Sequence, residues 1–339
     1  MPATESFQKH IQFLRNDIEK AIHQIPLDKS PTYFYDPIKY VLNGKGKRLR
    51  PILVHLTGQI FSSDPEGLMK AAIAVELLHN FSLVHDDMMD EDDVRHGQPS
   101  VHKKWDNASA ILAGDGLFVL SHLILTGLSP YVHQRFNEVT LAICEGQGMD
   151  KEFEDDASIT MGNYLVMIGK KTGSLLGLSA EVGALIADGS KEAAHHLFEF
   201  GLNLGLAFQI QDDFLEIYSS ESSMGKSLGS DIRSGKQTAL TILAREKNPD
   251  QWSKFNKKKN SILAFQSYFE SNGIKKETEK VIQHYIDKAQ DGLNEFPEGK
   301  RENLNQFTTM ILNRTYKWQL FNPWLQRTCT NPYMSFQIT

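Results

Sequence analysis

The sequence predicts an all-α protein. Apolar residues recur at helical spacing along most of the chain, and Gly, Pro, Ser and Asp cluster in short breaks between these stretches. No stretch shows the strict alternation of apolar and polar residues that is typical of a half-buried strand. These observations favour about a dozen helices connected by short loops.

The first helix is predicted from an apolar stripe that begins at Phe7 and Ile11, continues to Ile22, and ends near Pro26. A short helix is expected to begin at Asp36-Pro37, because proline is favoured in the first turn. The remaining helical patterns cover residues 48–62, 66–85, 108–128, 131–155, 160–187, 190–218, 236–246, 250–271, 274–295 and 299–318.

Composition limits the class of protein. A chain of 339 residues with 40% hydrophobic residues can bury a large core in one large or two moderate domains. The net charge of −6 says little about nucleic acid, but no basic stripe argues for such a partner, and none is expected. Two distant cysteines, Cys144 and Cys329, and no signal-peptide pattern predict a cytoplasmic protein. The most apolar region, 110–128, contains Asp115 and His122, so no transmembrane segment is expected.

An acidic motif, DDMMDEDD, ends the apolar helix predicted over 66–85. In a helix, Asp86 and Asp90 lie one turn apart on the same face, with Asp87 beside them. Such carboxylates repel one another unless they share a hard divalent cation. The ordinary alternative is a solvated acidic helix end.

A second acidic motif, QDDFLE, ends another apolar helix far downstream. Asp212, Asp213 and Glu216 repeat the arrangement of two adjacent acids and a third one turn later. A buried carboxylate cluster costs several kcal/mol without a compensating positive charge. Two matching clusters therefore predict facing walls of a metal site.

Positive charge is concentrated in three places. The segment GKGKRLRP at 44–51 could hold a phosphate, although a surface basic turn fits as well. Lys170 and Lys171 lie in an apolar helical pattern, where a lysine usually extends to solvent. Residues 218–238 have the composition of a linker, but they follow the second acidic motif and could form a lid over a charged ligand.

Together the acids and cations predict a metal-bound polyanionic substrate. No nucleophile paired with a base is evident, and no P-loop is present. The large apolar surroundings suit a long hydrocarbon. A diphosphate joined to a lipid-like chain satisfies both conditions.

The ordered motifs GKGKRLRP, DDMMD followed by Arg and Gly-x-Pro, EGQGMD, KKTG, FQIQDDFLE and GKSLGSDIRSGKQT resemble those of the trans-isoprenyl diphosphate synthases, or polyprenyl synthetases. The resemblance runs from about Lys45 to about Arg314. It implies an isoprenoid-synthase-type helical bundle around a central cavity, usually as a homodimer. Residues 1–318 would form one domain, and residues 319–339 would be a C-terminal extension without an assigned role.

The resemblance implies a condensation of isopentenyl diphosphate with an allylic diphosphate: dimethylallyl, geranyl or farnesyl. Three Mg²⁺ ions would hold the allylic diphosphate, and a prenyl carbocation would form and react with the double bond of isopentenyl diphosphate. The released diphosphate would take the proton. The implied residue roles are metal binding by Asp86, Asp87, Asp90, Asp212, Asp213 and Glu216; allylic diphosphate binding by Arg95, Lys171, Lys226 and Lys236; carbocation stabilisation by oxygen dipoles of the Lys171 backbone, Thr172 and Gln209; and isopentenyl diphosphate binding by Lys47, Arg50, His79 and His96.

Two residues depart from the family pattern. His96 stands where the family usually has a second arginine that binds isopentenyl diphosphate. Histidine is only partly charged near neutral pH, so we expect weaker binding that improves as pH falls. Glu216 replaces the usual aspartate and keeps its charge.

Phe81, before the first acidic motif, stands where the family often places an aromatic residue that limits product length. By resemblance, this favours a C20 or C15 product, with C20 preferred. The alternative is that Phe81 is ordinary core packing.

Two other functions share part of this motif pattern. A class I terpene cyclase shares the first acidic motif, but its second metal motif typically contains Asn/Asp, Ser/Thr and Glu at wider spacing. A non-catalytic regulatory subunit tends to lose its acidic motifs, and both are intact here.

Overall fold

The computed structural model describes residues 4–61, 64–219, 232, 235–257 and 260–312. These residues form an all-α protein, as predicted. In the described ranges the helices are α1 Glu5–His23, α2 Thr32–Leu42, α3 Leu49–Gly58, α4 Pro65–Met89, α5 Val101–Lys104, α6 Asn107–Ile124, α7 Pro130–Phe153, α8 Met161–Ile168, α9 Ser174–Ile186, α10 Lys191–Tyr218, α11 Ala239–Lys247, α12 Pro249–Asn256, α13 Ile262–Ser271, α14 Ile274–Asp291 and α15 Glu298–Leu312.

The long helices α4 and α10 form the centre of the bundle. α4 packs against α3 and α6, and α10 packs against α9 and α14. The predicted apolar stripe of α1 is buried in the same core. Side-chain caps begin several helices: Asp64 accepts a hydrogen bond from the Gly67 amide at α4, and Ser190 accepts one from the Ala193 amide at α10.

The structure corrects three expectations about individual elements. α2 begins at Thr32, after Pro31, with Pro37 inside it. The helix predicted over 250–271 is two helices, because Ser261 caps a new helix by accepting from the Ala264 amide. A two-residue antiparallel ladder, β1 Val94–Arg95 with β2 Gln98–Pro99, lies where no strand was expected.

The helix predicted over 160–187 contains one π-helical turn. This turn, Gly169–Gly173, joins α8 to α9 and packs against both α7 and α10. Inserted π turns widen a helix locally and occur frequently at functional sites. Here the π turn carries the KKTG motif.

Two described helices, Pro65–Met89 and Asn107–Ile124, are long and apolar enough to cross a membrane by length and composition alone. Of the most apolar window in each, 67% and 39% is buried inside the bundle, respectively. Core helices of soluble proteins meet the same criterion, so this is weak evidence for a membrane span.

Candidate active site

The carboxyl end of α4 and the π turn form the first wall of the candidate site. Lys171 Nζ lies 3.0 Å from Asp86 Oδ1 and 2.6 Å from Asp150 Oδ2. Burial lowers the pKa of Lys171, but Asp86 and Asp150 outweigh it and hold that pKa above its ordinary value. Lys171 is therefore charged and fixed between α4 and α7.

The second wall meets the same π turn. Thr172 Oγ1 donates to Gln209 Oε1 of α10 at 3.1 Å, and Gln209 Nε2 donates to Asp213 Oδ1 at 3.2 Å. The adjacent residues Lys171 and Thr172 thus connect the end of α4 to the acidic end of α10. The two acidic motifs, more than a hundred residues apart, lie on either side of one π turn.

Asp90 is the most heavily paired carboxylate of the first motif. Its Oδ2 accepts from Lys236 Nζ at 2.7 Å, and its Oδ1 lies 3.3 Å from Lys151 Nζ. Burial raises the pKa of Asp90, but the hydrogen bond from Lys236 and the charges of Lys236, Lys171 and Lys151 outweigh it. The pKa of Asp90 consequently lies below its ordinary value.

Asp87 is paired with an arginine rather than with a lysine. Its buried carboxylate accepts from Arg95 Nε at 2.7 Å and also from Arg95 Nη2. Burial raises the pKa of Asp87 to about 6, against the opposing effect of Arg95. The ladder of β1 and β2 holds Arg95 here through a two-residue turn in which His96 and Gly97 have φ of 53° and 77°. Asp87 thus positions Arg95.

Asp213 and Glu216 of the second motif are also buried. Asp213 Oδ2 accepts from Tyr164 Oη at 2.7 Å and from the Ala239 amide at 3.1 Å, which links α10 to α8 and α11. Asp212, which precedes it, is partly exposed. In the second motif, therefore, the adjacent acids have different surroundings.

Of the residues predicted to bind isopentenyl diphosphate, Lys47 and Arg50 lie at the start of α3, His79 lies on α4, and His96 lies in the turn between β1 and β2. Arg50 Nη1 lies 3.0 Å from His79 Nε2. Burial and the positive charge of Arg50 hold the pKa of His79 well below its ordinary value, so a neutral His79 accepts from Arg50. Lys47 is exposed beside them, and its charge lowers the pKa of His96.

Arg48, in the same basic segment, has a structural role that the sequence pattern did not reveal. It is buried in the left-handed conformation, and its guanidinium contacts Glu76 Oε1 at 2.6 Å and Glu19 Oε1 at 2.8 Å. It also donates to the carbonyl of Gly44. This network fixes the loop that presents Lys47 and Arg50.

Two residues missed in the sequence contact the first wall: Asp150 holds Lys171, and Lys151 contacts Asp90. Both lie at the end of EGQGMDK, a motif to which no chemical role was given. Predicted residue Lys226 and most of the proposed lid at 218–238 lie outside the described residues, as does the extension at 319–339.

Phe81 is partly buried on α4, one turn before the acidic motif. Its ring centroid lies 5.0 Å from that of His85 and 5.5 Å from that of Phe118 on α6. Phe118 is the neighbour that sequence reasoning missed, because it belongs to another helix.

No three His, Cys, Asp or Glu side chains in the described part of the chain are grouped closely enough to hold a metal ion as they stand. Asp86 and Asp90 nevertheless provide hard oxygen donors on one side of a helix end, and both already bind ammonium groups. This donor chemistry fits Mg²⁺ with Asp86, Asp90 and Asp212 as ligands. Asp87 and Asp213, also predicted as metal ligands, accept hydrogen bonds from Arg95 and from Tyr164, respectively, in this structure.

Comparison with known proteins gives a consistent picture. The polyprenyl synthetase family matches residues 31–268. A geranylgeranyl diphosphate synthase of Methanosarcina mazei is 39% identical over 68% of this chain and 73% of its own. A short chain isoprenyl diphosphate synthase of Methanothermobacter thermautotrophicus is 36% identical over 73% and 76%. A geranylfarnesyl diphosphate synthase of Natronomonas pharaonis is 32% identical over 74% and 80%.

Solved structures of polyprenyl synthases have the same fold as this chain. A geranylgeranyl pyrophosphate synthetase from Pyrococcus horikoshii superimposes with a TM-score of 0.85 at 32% identity, covering 91% of this chain and 98% of that one. A polyprenyl synthase from Caulobacter crescentus, complexed with calcium and isoprenyl diphosphate, gives 0.82 at 26% identity over 92% and 98%. The fold class and the family resemblance predicted from the sequence are confirmed. The chain belongs to the polyprenyl synthetase family.

Proposed function

We propose that this protein is a short-chain trans-prenyltransferase that condenses isopentenyl diphosphate with an allylic diphosphate, with geranylgeranyl diphosphate as the favoured product. One observation carries the proposal. The π turn at Gly169–Gly173 contacts Asp86 through Lys171 and Gln209 through Thr172, so anion-binding and cation-stabilising groups meet at one point between two acidic helix ends.

The allylic diphosphate would bind between these helix ends. Lys171, Lys236 and Arg95 supply positive charge, and Lys226 would add to it. Mg²⁺ held by Asp86, Asp90 and Asp212 would neutralise charge that develops on the departing diphosphate. The prenyl C–O bond then breaks, and its electron pair leaves with the diphosphate.

Thr172 and Gln209 would face the resulting allylic cation. Their mutual hydrogen bond fixes both side chains, so their oxygen dipoles need little reorganisation when positive charge forms. The double bond of isopentenyl diphosphate supplies the electron pair of the new C–C bond. A proton leaves the adjacent carbon, and the released diphosphate accepts it.

Isopentenyl diphosphate would bind at Lys47 and Arg50, with His96 beside them. His79 would act by orienting Arg50, because its Nε2 accepts the hydrogen bond from that guanidinium. In this proposal the second diphosphate binds at the N-terminal end of α3.

The assay uses Mg²⁺, isopentenyl diphosphate and each of dimethylallyl, geranyl and farnesyl diphosphate, followed by chromatography of the products. We expect a linear C20 diphosphate as the main product. Asp86→Asn should lose most activity, whereas Asp93→Asn, at an exposed ion pair with Lys103, should keep it. A cyclic hydrocarbon from an allylic diphosphate alone would favour a cyclase, and no turnover would favour a regulatory subunit.

We also propose that the protein is a soluble cytoplasmic homodimer. α6 exposes large apolar side chains, with Val119 and Leu123 52% and 61% exposed. A second copy covering this face would remove apolar surface from water. Sedimentation equilibrium measures the association directly, and a monomer at micromolar concentration would contradict the proposal.

A further inference from the structure

Lys151, on the last turns of α7, occupies a place beside the first acidic wall that the proposed mechanism does not use. Its Nζ lies 3.3 Å from Asp90 Oδ1 and 3.3 Å from the carbonyl oxygen of Met89. A third contact, 2.7 Å to Glu154 Oε1, comes from the same end of α7. Lys151 is thus held at the end of α4 by three oxygen atoms.

Both oxygens of Asp90 contact lysines. Lys236 Nζ lies 2.7 Å from Oδ2, and Lys151 Nζ lies 3.3 Å from Oδ1. The Asp90 side chain is only 8% exposed, so solvent screens these charges less than at an open surface. A divalent ion that binds Asp90 must therefore displace an ammonium group or approach it closely.

Lys151 can leave Asp90 and keep a partner. Glu154 binds it at a shorter distance than Asp90 does, and belongs to its own helix end. Releasing Asp90 therefore does not leave the ammonium group without an acceptor.

We propose that Lys151 is a resident counter-cation of the first acidic wall. It neutralises Asp90 when no ligand is bound and makes divalent-metal binding there depend on the negative charge that a diphosphate brings. The inference rests on the proposed function, because it assumes that Asp90 binds metal during the reaction. Lys151 acts through Asp90 and is a positioning residue.

The test measures Mn²⁺ binding, as a substitute for Mg²⁺, by equilibrium dialysis without substrate. Lys151→Met removes the positive charge next to Asp90, and we expect it to bind Mn²⁺ about tenfold more tightly than the wild type. Lys170→Met is the matched control: it removes the same charge from another lysine paired with an α7 carboxylate, Glu145, at 2.5 Å. Its affinity should match the wild type.

A second variant changes binding in the opposite direction. Glu154→Gln keeps Lys151 but removes the charge of its alternative partner, so the lysine should stay on Asp90 and Mn²⁺ should bind several-fold more weakly. With inorganic diphosphate present, the difference between wild type and Lys151→Met should shrink. Melting curves identify any variant that fails to fold.

Equal Mn²⁺ affinities for Lys151→Met and Lys170→Met would overturn this inference but leave the proposed function standing. Weaker binding by Lys151→Met would also overturn it, because Lys151 would then support the metal site. If none of the proteins bound Mn²⁺, with or without diphosphate, the metal site of the proposed function would fail and the inference with it.

Discussion

Neighbouring carboxylates in the two acidic motifs have different surroundings. Asp86 and Asp90 are paired with lysines from other helices and segments, whereas Asp87 is paired with Arg95 of the neighbouring ladder. Asp213 is likewise buried against Tyr164. Asp87 thereby fixes the position of Arg95, and Asp213 links α10 to α8.

His96 offers a test at this scale. Reduced hydration and the charges of Arg95 and Arg48 lower the pKa of His96, so the free protein holds it neutral at and above pH 7. A bound diphosphate favours the protonated imidazole. The KM for isopentenyl diphosphate should therefore fall as pH is lowered from 8 to 6.

His96→Arg is the control for this pH effect, because arginine stays charged. We expect its KM to be several-fold lower at pH 8 and nearer to the wild type at pH 6. Initial rates at saturating allylic diphosphate measure both proteins. A KM ratio that does not change between pH 6 and 8 would rule out a role for His96 charge.

At the scale of elements, the site depends on how closely α7 approaches the π turn. A Cβ at Gly146 would overlap the backbone nitrogen of Lys171 and lie 2.8 Å from its Cα. These are backbone atoms, so a side chain at Gly146 must push the helix and the turn apart. The first glycine of EGQGMD, Gly146, thereby sets the position of Lys171.

Gly146→Ala should displace Lys171 from the end of α4 and Thr172 from Gln209. Misplacement by about 1 Å can reduce turnover about a hundredfold, so we expect a loss of that order in kcat. Gly148→Ala, two residues further along α7, meets no atom within 4 Å and should retain activity. Steady-state rates for the two variants, with circular dichroism to check folding, make the comparison; equal rates would contradict this account.

At the scale of the whole molecule, we propose that the helices α4 and α6 together limit the length of the apolar cavity that would hold the growing prenyl chain. Phe81→Ala should lengthen the main product by one or more isoprene units, because space opens below the allylic chain. The Phe81→Ala/Phe118→Ala double variant should lengthen it further, since Phe118 is the next ring, 5.5 Å away. Chromatography of the products measures their chain lengths. An unchanged product profile would show that Phe81 does not limit chain length.

Acid stability is another property of the whole bundle. His55 of α3 is buried, and burial lowers its pKa to about 4. Below the unfolded pKa of about 6.5 the unfolded chain binds a proton that the folded protein excludes. The contribution of neutral His55 to stability is therefore complete above about pH 6.5 and is lost as pH falls towards 4.

His55→Leu removes this titration. Between pH 7 and pH 4.5 the free energy of unfolding of the wild type should fall by about 2 kcal/mol more than that of the variant. Urea unfolding at fixed protein concentration measures both. Parallel pH curves for the two proteins would show that His55 does not contribute to acid destabilisation.

The sequence by itself determined the helices and the chemical character of the site. Apolar periodicity, prolines and capping residues act within a few positions, so α1, α4, α6, α7 and α10 were predicted near their observed ranges. The two acidic motifs and the basic segments were identifiable for the same reason: each is a local cluster of charge. Their order along the chain indicated the family.

The tertiary structure decided which members of those clusters meet. Asp86 and Lys171 are 85 positions apart, and Asp90 and Lys236 are 146 apart, so no local pattern fixes their pairing. The burial of Arg48 with Glu76 and the π turn against Gly146 likewise arise from helix packing. Local sequence sets which charges are present, but burial and close approach between distant helices decide which of them remain available to a ligand.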